Sequence, residues 1–182
     1  MATEYMSKSA DLSLDHRYRY TLSRSWLPSP YDDGGEVIWV MLNPSTADAM
    51  EDDPTIRRCV DYTNRWGFNA LEVVNVFAYR TPSPKELKQA WKAGVDVLGP
   101  ENLTTLRQAI VRSCGHEYRL VVAWGAGAPR PYVQGLARLI QSVGAHPYCL
   151  GMTKEGHPKH PLYLRKDAPL VTWRMTPFLR KH

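Results

Sequence analysis

Cysteine is scarce in this chain. Only Cys59, Cys114 and Cys149 occur among 182 residues, widely spaced and with no CxxC pair. That count excludes a disulfide framework and a cysteine-based zinc site, and it fits a reduced, cytoplasmic setting. Long apolar runs are missing too. The longest, Val37–Leu42 and Leu120–Trp124, are strand-sized and far short of the roughly 18 residues that span a bilayer. The chain has no GxSxG, Walker A, GxGxxG or HExxH motif. These absences remove the commonest serine-hydrolase, NTPase, dinucleotide and zinc-protease readings. Repeats and low-complexity tracts are lacking as well.

What is present describes an ordinary globular chain. Hydrophobic residues at 43% and charged residues at 23% exclude wholesale disorder, and the length suits one domain. Lysine and arginine number 23 against 18 acidic residues, a formal charge of +5. The pI near 9.2 suits an anionic partner, DNA or a nucleotide, although many proteins carry such a surplus idly.

Residues 1–15 are polar and are expected to form a flexible leader, leaving 16–182 as one α/β domain. In RYRYTLSRSW (17–26), Tyr18, Tyr20 and Leu22 alternate with Arg17, Arg19 and Thr21, the pattern of an edge or antiparallel strand. LPSPYDDGG (27–35) is turn-rich. Four strands are expected at Val37–Leu42, Leu71–Val76, Arg119–Trp124 and His146–Leu150, the first three apolar on both faces as buried parallel strands are. Between them fall helical patterns. One starts at Asp52-Asp53-Pro54, with an N-cap aspartate and a first-turn proline, and runs to about Trp66. Others are expected at Pro84–Ala93, Glu101–Cys114 and about Tyr132–Val143. Alternating strands and helices predict a three-layer α/β/α sandwich around a mostly parallel sheet of about four strands. In such folds ligands sit beyond the carboxyl ends of the strands. Here those ends are Asn43, Asn75, Trp124-Gly125 and the loop holding His157.

Each end carries chemistry. In MLNPSTAD (41–48) the Asn-Pro step turns the chain and presents Asn43, while Ser45 and Thr46 can hold a phosphate or water; the same residues also suit a plain Asx-turn. In VVNVFAYRT (73–81), Asn75 can offer both a carbonyl and an amide to a base edge. Phe77 or Tyr79 can stack on the base, and Arg80 can take a phosphate; alternatively the aromatics are core. The glycines of LVVAWGAG (120–127) permit close approach of a ligand. GHPKHPLYLRK (156–166) concentrates His157, His160, Lys159, Arg165 and Lys166 in a proline-stiffened loop. A histidine there can donate to developing negative charge or move a proton. His157 and His160 have no recognisable third ligand, so neither metal nor cofactor is expected.

Taken in order, MLNPSTAD, DDPTIRRC, NVFAYR, AWG and GHPKHPLYL resemble a bacterial and phage family known as domain of unknown function 1643, over roughly 16–171. The order of features also resembles the uracil-DNA glycosylase superfamily. That group has a G-x-[D/N]-P loop, an apolar strand ending in Asn, a strand ending in Leu-Trp-Gly, and a late His-Pro-Ser-Pro-Leu loop. VMLNPS, VVNVF, VAWGAG and HPKHPL stand at the corresponding places. The chain departs from the pattern at Met41, where the glycine would stand, at Asn43, where the uracil-specific branch has Asp, and at Lys159 and His160.

The resemblance implies an N-glycosidic hydrolase acting on a natural or modified base in DNA. Asn43 would hold the water and Asp53 (or Asp48) would act as the base. His157 would donate to the departing base, and Asn75, Phe77 and His160 would bind it. Ser45, Thr46, Arg80, Lys159, Arg165 and Lys166 would contact the nucleic-acid backbone. Asn43 in place of Asp favours instead a non-catalytic reader of a modified base or nucleotide, and the modest charge permits a hydrolase or transferase on a free nucleotide.

Overall fold

A computed structural model describes residues 3–27 and 34–179, so most of the turn-rich 27–35 loop lies outside the described residues. The strands are β1 (Tyr5–Leu12), β2 (Arg19–Trp26), β3 (Glu36–Met41), β4 (Ala70–Asn75), β5 (Tyr118–Val122), β6 (Pro147–Cys149) and β7 (Val171–Thr172). The helices are α1 (Pro54–Arg65), α2 (Pro84–Lys92), α3 (Asn102–Arg112), α4 (Arg130–Val143) and α5 (Thr176–Leu179). The seven strands form one mixed sheet in the order β1-β2-β4-β3-β5-β6-β7.

The apolar runs form its parallel centre. β3 pairs in parallel with β4 and with β5, and β5 pairs in parallel with β6. Their side chains alternate between two cores. Ile38, Val40, Val74, Leu120 and Val122 pack with α3 and α4 through Leu106, Ile110, Val133 and Ile140. Val37, Trp39, Leu71, Val73 and Val121 pack instead with Ile56, Cys59, Val60 and Tyr62 of α1. Helix contact on both sides is why these strands read as continuously apolar.

The expected count of about four strands is corrected to seven among the described residues. β1, β2 and β7 all add antiparallel pairing. The flexible leader is corrected with it, because Tyr5–Leu12 pairs along β2 from Tyr5↔Trp26 to Leu12↔Arg19. β1 (YMSKSADL) is mostly exposed, so it carries no apolar alternation for sequence reasoning to detect. Its backbone ladder and end contacts hold it. The Tyr5 hydroxyl donates to Asp52 Oδ2 at 2.5 Å, and Lys8 Nζ donates to the Met50 carbonyl at 2.8 Å. No helix among the described residues is long and apolar enough to cross a membrane.

Candidate functional site

The carboxyl ends of β3, β4 and β5 open into a cleft of about 550 Å³. Its wall takes Asn43 and Ser45 from the loop after β3, Asp53 and Thr55 from the start of α1, and Asn75 from the end of β4. Trp124 and Gly125 follow β5, and Lys159, His160 and Tyr163 come from the late loop. Residues separated by more than a hundred positions thus share one wall, the arrangement expected at strand ends of an α/β fold.

Asn75 lines this cleft although it is buried, at 1% exposure. Neither its Nδ2 nor its Oδ1 has a hydrogen-bond partner among the described residues. Orphaned amides inside a protein cost free energy, on the order of 1–3 kcal/mol per group. α3 fixes the backbone behind it. Asn102 Nδ2 donates to the carbonyls of Asn75 and Val76, both at 3.1 Å. Trp124 Nε1 is likewise buried without a partner among the described residues.

Asn43 is anchored by its own amide. Nδ2 donates to the carbonyls of Pro44 and Thr81, each at 3.0 Å. This commits the donor half of the side chain to the protein. Asp53 is the N-cap of α1, with Oδ1 accepting from the Ile56 amide at 2.8 Å. One carboxylate oxygen holds the helix.

His160 stands beside Gly125; a Cβ on that glycine would meet His160 Cβ at 3.6 Å, and the glycine has φ +73. The Leu162 amide donates to His160 Nδ1 at 3.3 Å. Neutral imidazole therefore carries its proton on Nε2. Burial lowers the His160 pKa, with the Asp53 charge opposing, so the ring is neutral at pH 7.

His157 does not line the cleft. Pro158 pins the loop by accepting from the Gly125 amide at 3.0 Å and by bridging to Met152. That turns His157 toward α5, where its ring meets Phe178 edge-on at 5.1 Å. Burial lowers its pKa as well, and Nδ1 has no partner among the described residues. The convergence of His157 with Asn43 is thus corrected, and His160 occupies the place expected for it.

Phe77 is also outside the cleft, buried in the core with its ring edge-on to Tyr132 at 4.8 Å. Arg80 donates to the His16 carbonyl at 3.2 Å and does not line the wall. Arg165 forms an exposed pair with Asp167 at 3.0 Å, while Lys166 and Thr46 are exposed away from the cleft. Asp48 closes a turn by accepting from the Met50 and Glu51 amides, which lower its carboxyl pKa, and does not reach the wall.

Sequence reasoning missed Arg19. The alternation in β2 placed it on the polar outer face, yet it is 2% exposed and lines the cleft. Nη1 donates to the Ala47 carbonyl at 2.7 Å. Burial pulls its pKa down to about 10, so it stays charged at neutral pH. Arg24 braces the same loop. It pairs with Asp52 at 2.8 Å and donates to the Asp48 carbonyl at 2.6 Å. No group of His, Cys, Asp and Glu among the described residues is arranged to hold a metal ion.

The family described as "Protein of unknown function (DUF1643)" matches residues 19–162, and the chain belongs to it. No curated protein and no solved structure matches the chain.

Proposed function

We propose that the cleft binds a nucleobase and hydrolyses its N-glycosidic bond, with a natural or modified base in DNA as substrate. The observation that carries this reading is Asn75, a buried residue lining the cleft whose side-chain amide has neither donor nor acceptor partnered among the described residues. Nucleobase edges pair a donor with an acceptor, as a carboxamide does, so the two are complementary. The ordered motifs that resemble the uracil-DNA glycosylase superfamily support the same reading. So does an α/β/α arrangement, suggested by α3 and α4 packing with one set of sheet side chains and α1 with the other. A cytoplasmic setting belongs to the proposal, supported by three free cysteines.

The chemistry follows from the groups present. The bond between C1′ and the base nitrogen breaks, and its electron pair leaves with the base. Neutral His160 donates through Nε2–H to the developing anion, replacing His157 in that role. Water adds to the cationic C1′. Asn43 Oδ1 orients that water, and the other oxygen of Asp53 takes its proton. A duplex base must first leave the stack, at a cost of a few kcal/mol.

A non-catalytic reader is the second reading, favoured by the commitment of the Asn43 amide to two backbone carbonyls. Single-turnover base release measured beside equilibrium binding separates the two. Loss of one donor to a developing oxyanion or base anion typically costs on the order of a hundred- to a thousand-fold in rate. In an enzyme, His160→Ala removes most turnover and leaves affinity nearly intact. If no base is released and His160→Ala weakens binding alone, the reader replaces the enzyme.

A further inference from the structure

We infer that Arg19 forms a buried anion subsite in the cleft, which takes a phosphate of the nucleotide whose base Asn75 reads; this rests on the reading just given. Arg19 lines the cleft wall at 2% exposure. Of its five N–H donors, one bond is made to a described residue, from Nη1 to Ala47, and Nε is buried without a partner. No ion pair among the described residues includes it.

The surrounding charges do not complete it. Asp53 and Asp48 favour its charge, but Asp53 Oδ1 caps α1 and Asp48 Oδ1 accepts two backbone amides. Arg80 and Arg24 oppose it. A buried cation with so few bonds is expensive unless an anion arrives to satisfy it. Two neighbouring features suit a phosphate. The amino end of the 12-residue α1 reaches the wall at Thr55, placing its positive dipole end there against the opposing charge of the capping Asp53. Ser45 and Lys159 line the same wall. A guanidinium is also well matched to phosphate oxygens, which it can hold with two parallel bonds.

The contrast with the surface is informative. Of the cations expected on a nucleic-acid backbone, Arg165 is engaged with Asp167, and Arg80 and Lys166 stand off the cleft. Arg19 and Lys159 are the cations that line the cleft among the described residues. Phosphate of this kind is carried either by a free mononucleotide or by a strand, and the experiment separates them.

The test is competitive binding with the whole chain. Probes are inorganic phosphate, the common deoxynucleosides, their 5′- and 3′-monophosphates, and trinucleotides with the same central base. Wild type is expected to bind one monophosphate at least about tenfold more tightly than its nucleoside, the scale of hydrogen bonds to a charged group. Arg19→Gln should erase that gain, and Arg19→Lys should restore part of it. Inorganic phosphate should raise the wild-type Tm, a readout that needs no variant to fold. Stronger binding of the monophosphate assigns the phosphate to a free nucleotide, and stronger binding of the trinucleotide assigns it to a strand. Nucleosides that bind as well as their phosphates, or a phosphate gain that persists in Arg19→Gln, overturn the subsite. If instead no nucleoside competes while phosphate still stabilises wild type but not Arg19→Gln, the base reading fails and the subsite stands.

Discussion

The side-chain amide of Asn102 donates to the carbonyls of both Asn75 and Val76 at 3.1 Å, so α3 grips the end of β4 from behind. Removing it leaves two buried carbonyls short of a donor, at about 1–3 kcal/mol. Asn102→Ala is therefore expected to lower stability by that order in chemical denaturation. It should also weaken any ligand that depends on Asn75, because the residue loses its rigid backing. Unchanged stability would show that the β4 ladder alone sets this position.

Asn75 itself should behave in the opposite way. Its buried polar atoms have no partners among the described residues, so an apolar substitute removes an unpaid desolvation cost. Asn75→Leu is expected to be neutral or to stabilise by up to about 1 kcal/mol, while ligand binding is lost. Paired denaturation and binding curves check it. A large loss of stability would mean that Asn75 is structural.

The Arg24–Asp52 pair is the brace of the loop leading to Asp53. Its side chains are 0% and 8% exposed. Breaking a buried pair from one side typically costs about 3–5 kcal/mol, since the remaining charge is stranded. Asp52→Asn should approach that range. Tyr5→Phe, which removes only the hydroxyl bond to Asp52, should cost about 1 kcal/mol. Urea melts of the two variants should keep that order.

Acidification should destabilise the protein through two half-buried histidines. Burial lowers the pKa of both His157 and His160. Each histidine therefore protonates more readily in the unfolded chain. Their contribution is fully present above the unfolded value, about 6.5, and fades as pH falls below it. Wild type is expected to lose denaturant resistance between about pH 7 and pH 5. His157→Phe combined with His160→Gln should flatten that slope, and an equally steep slope in the double variant would refute the assignment.

Legibility in the sequence was uneven, for identifiable reasons. Val37–Leu42 and Leu71–Val76 announced the parallel centre because helices pack against both faces and leave no polar side. Asn43 and Asn75 were readable as strand-end residues, since each breaks an apolar run. β1 was not readable: its pairing is a backbone property, and its side chains are mostly exposed. His157 and His160 sit three residues apart, and the tethering of Pro158 to Gly125 and Met152, distant contacts for so short a motif, sets which one lines the cleft. Arg19 was hidden by a rule that usually holds, that arginine on an alternating strand points outward. The loop carbonyl of Ala47 that covers it is distant in sequence.

The central claim is that the orphaned amide of Asn75 recognises a nucleobase edge. It is tested most directly by titrating wild type and Asn75→Leu with a panel of natural and modified nucleosides, each beside a counterpart methylated on its Watson–Crick edge. The account predicts that wild type binds one unblocked base, that methylation of its edge abolishes binding, and that Asn75→Leu binds neither form while remaining folded. Equal binding of a base by wild type and Asn75→Leu, or indifference to methylation of its edge, would contradict it.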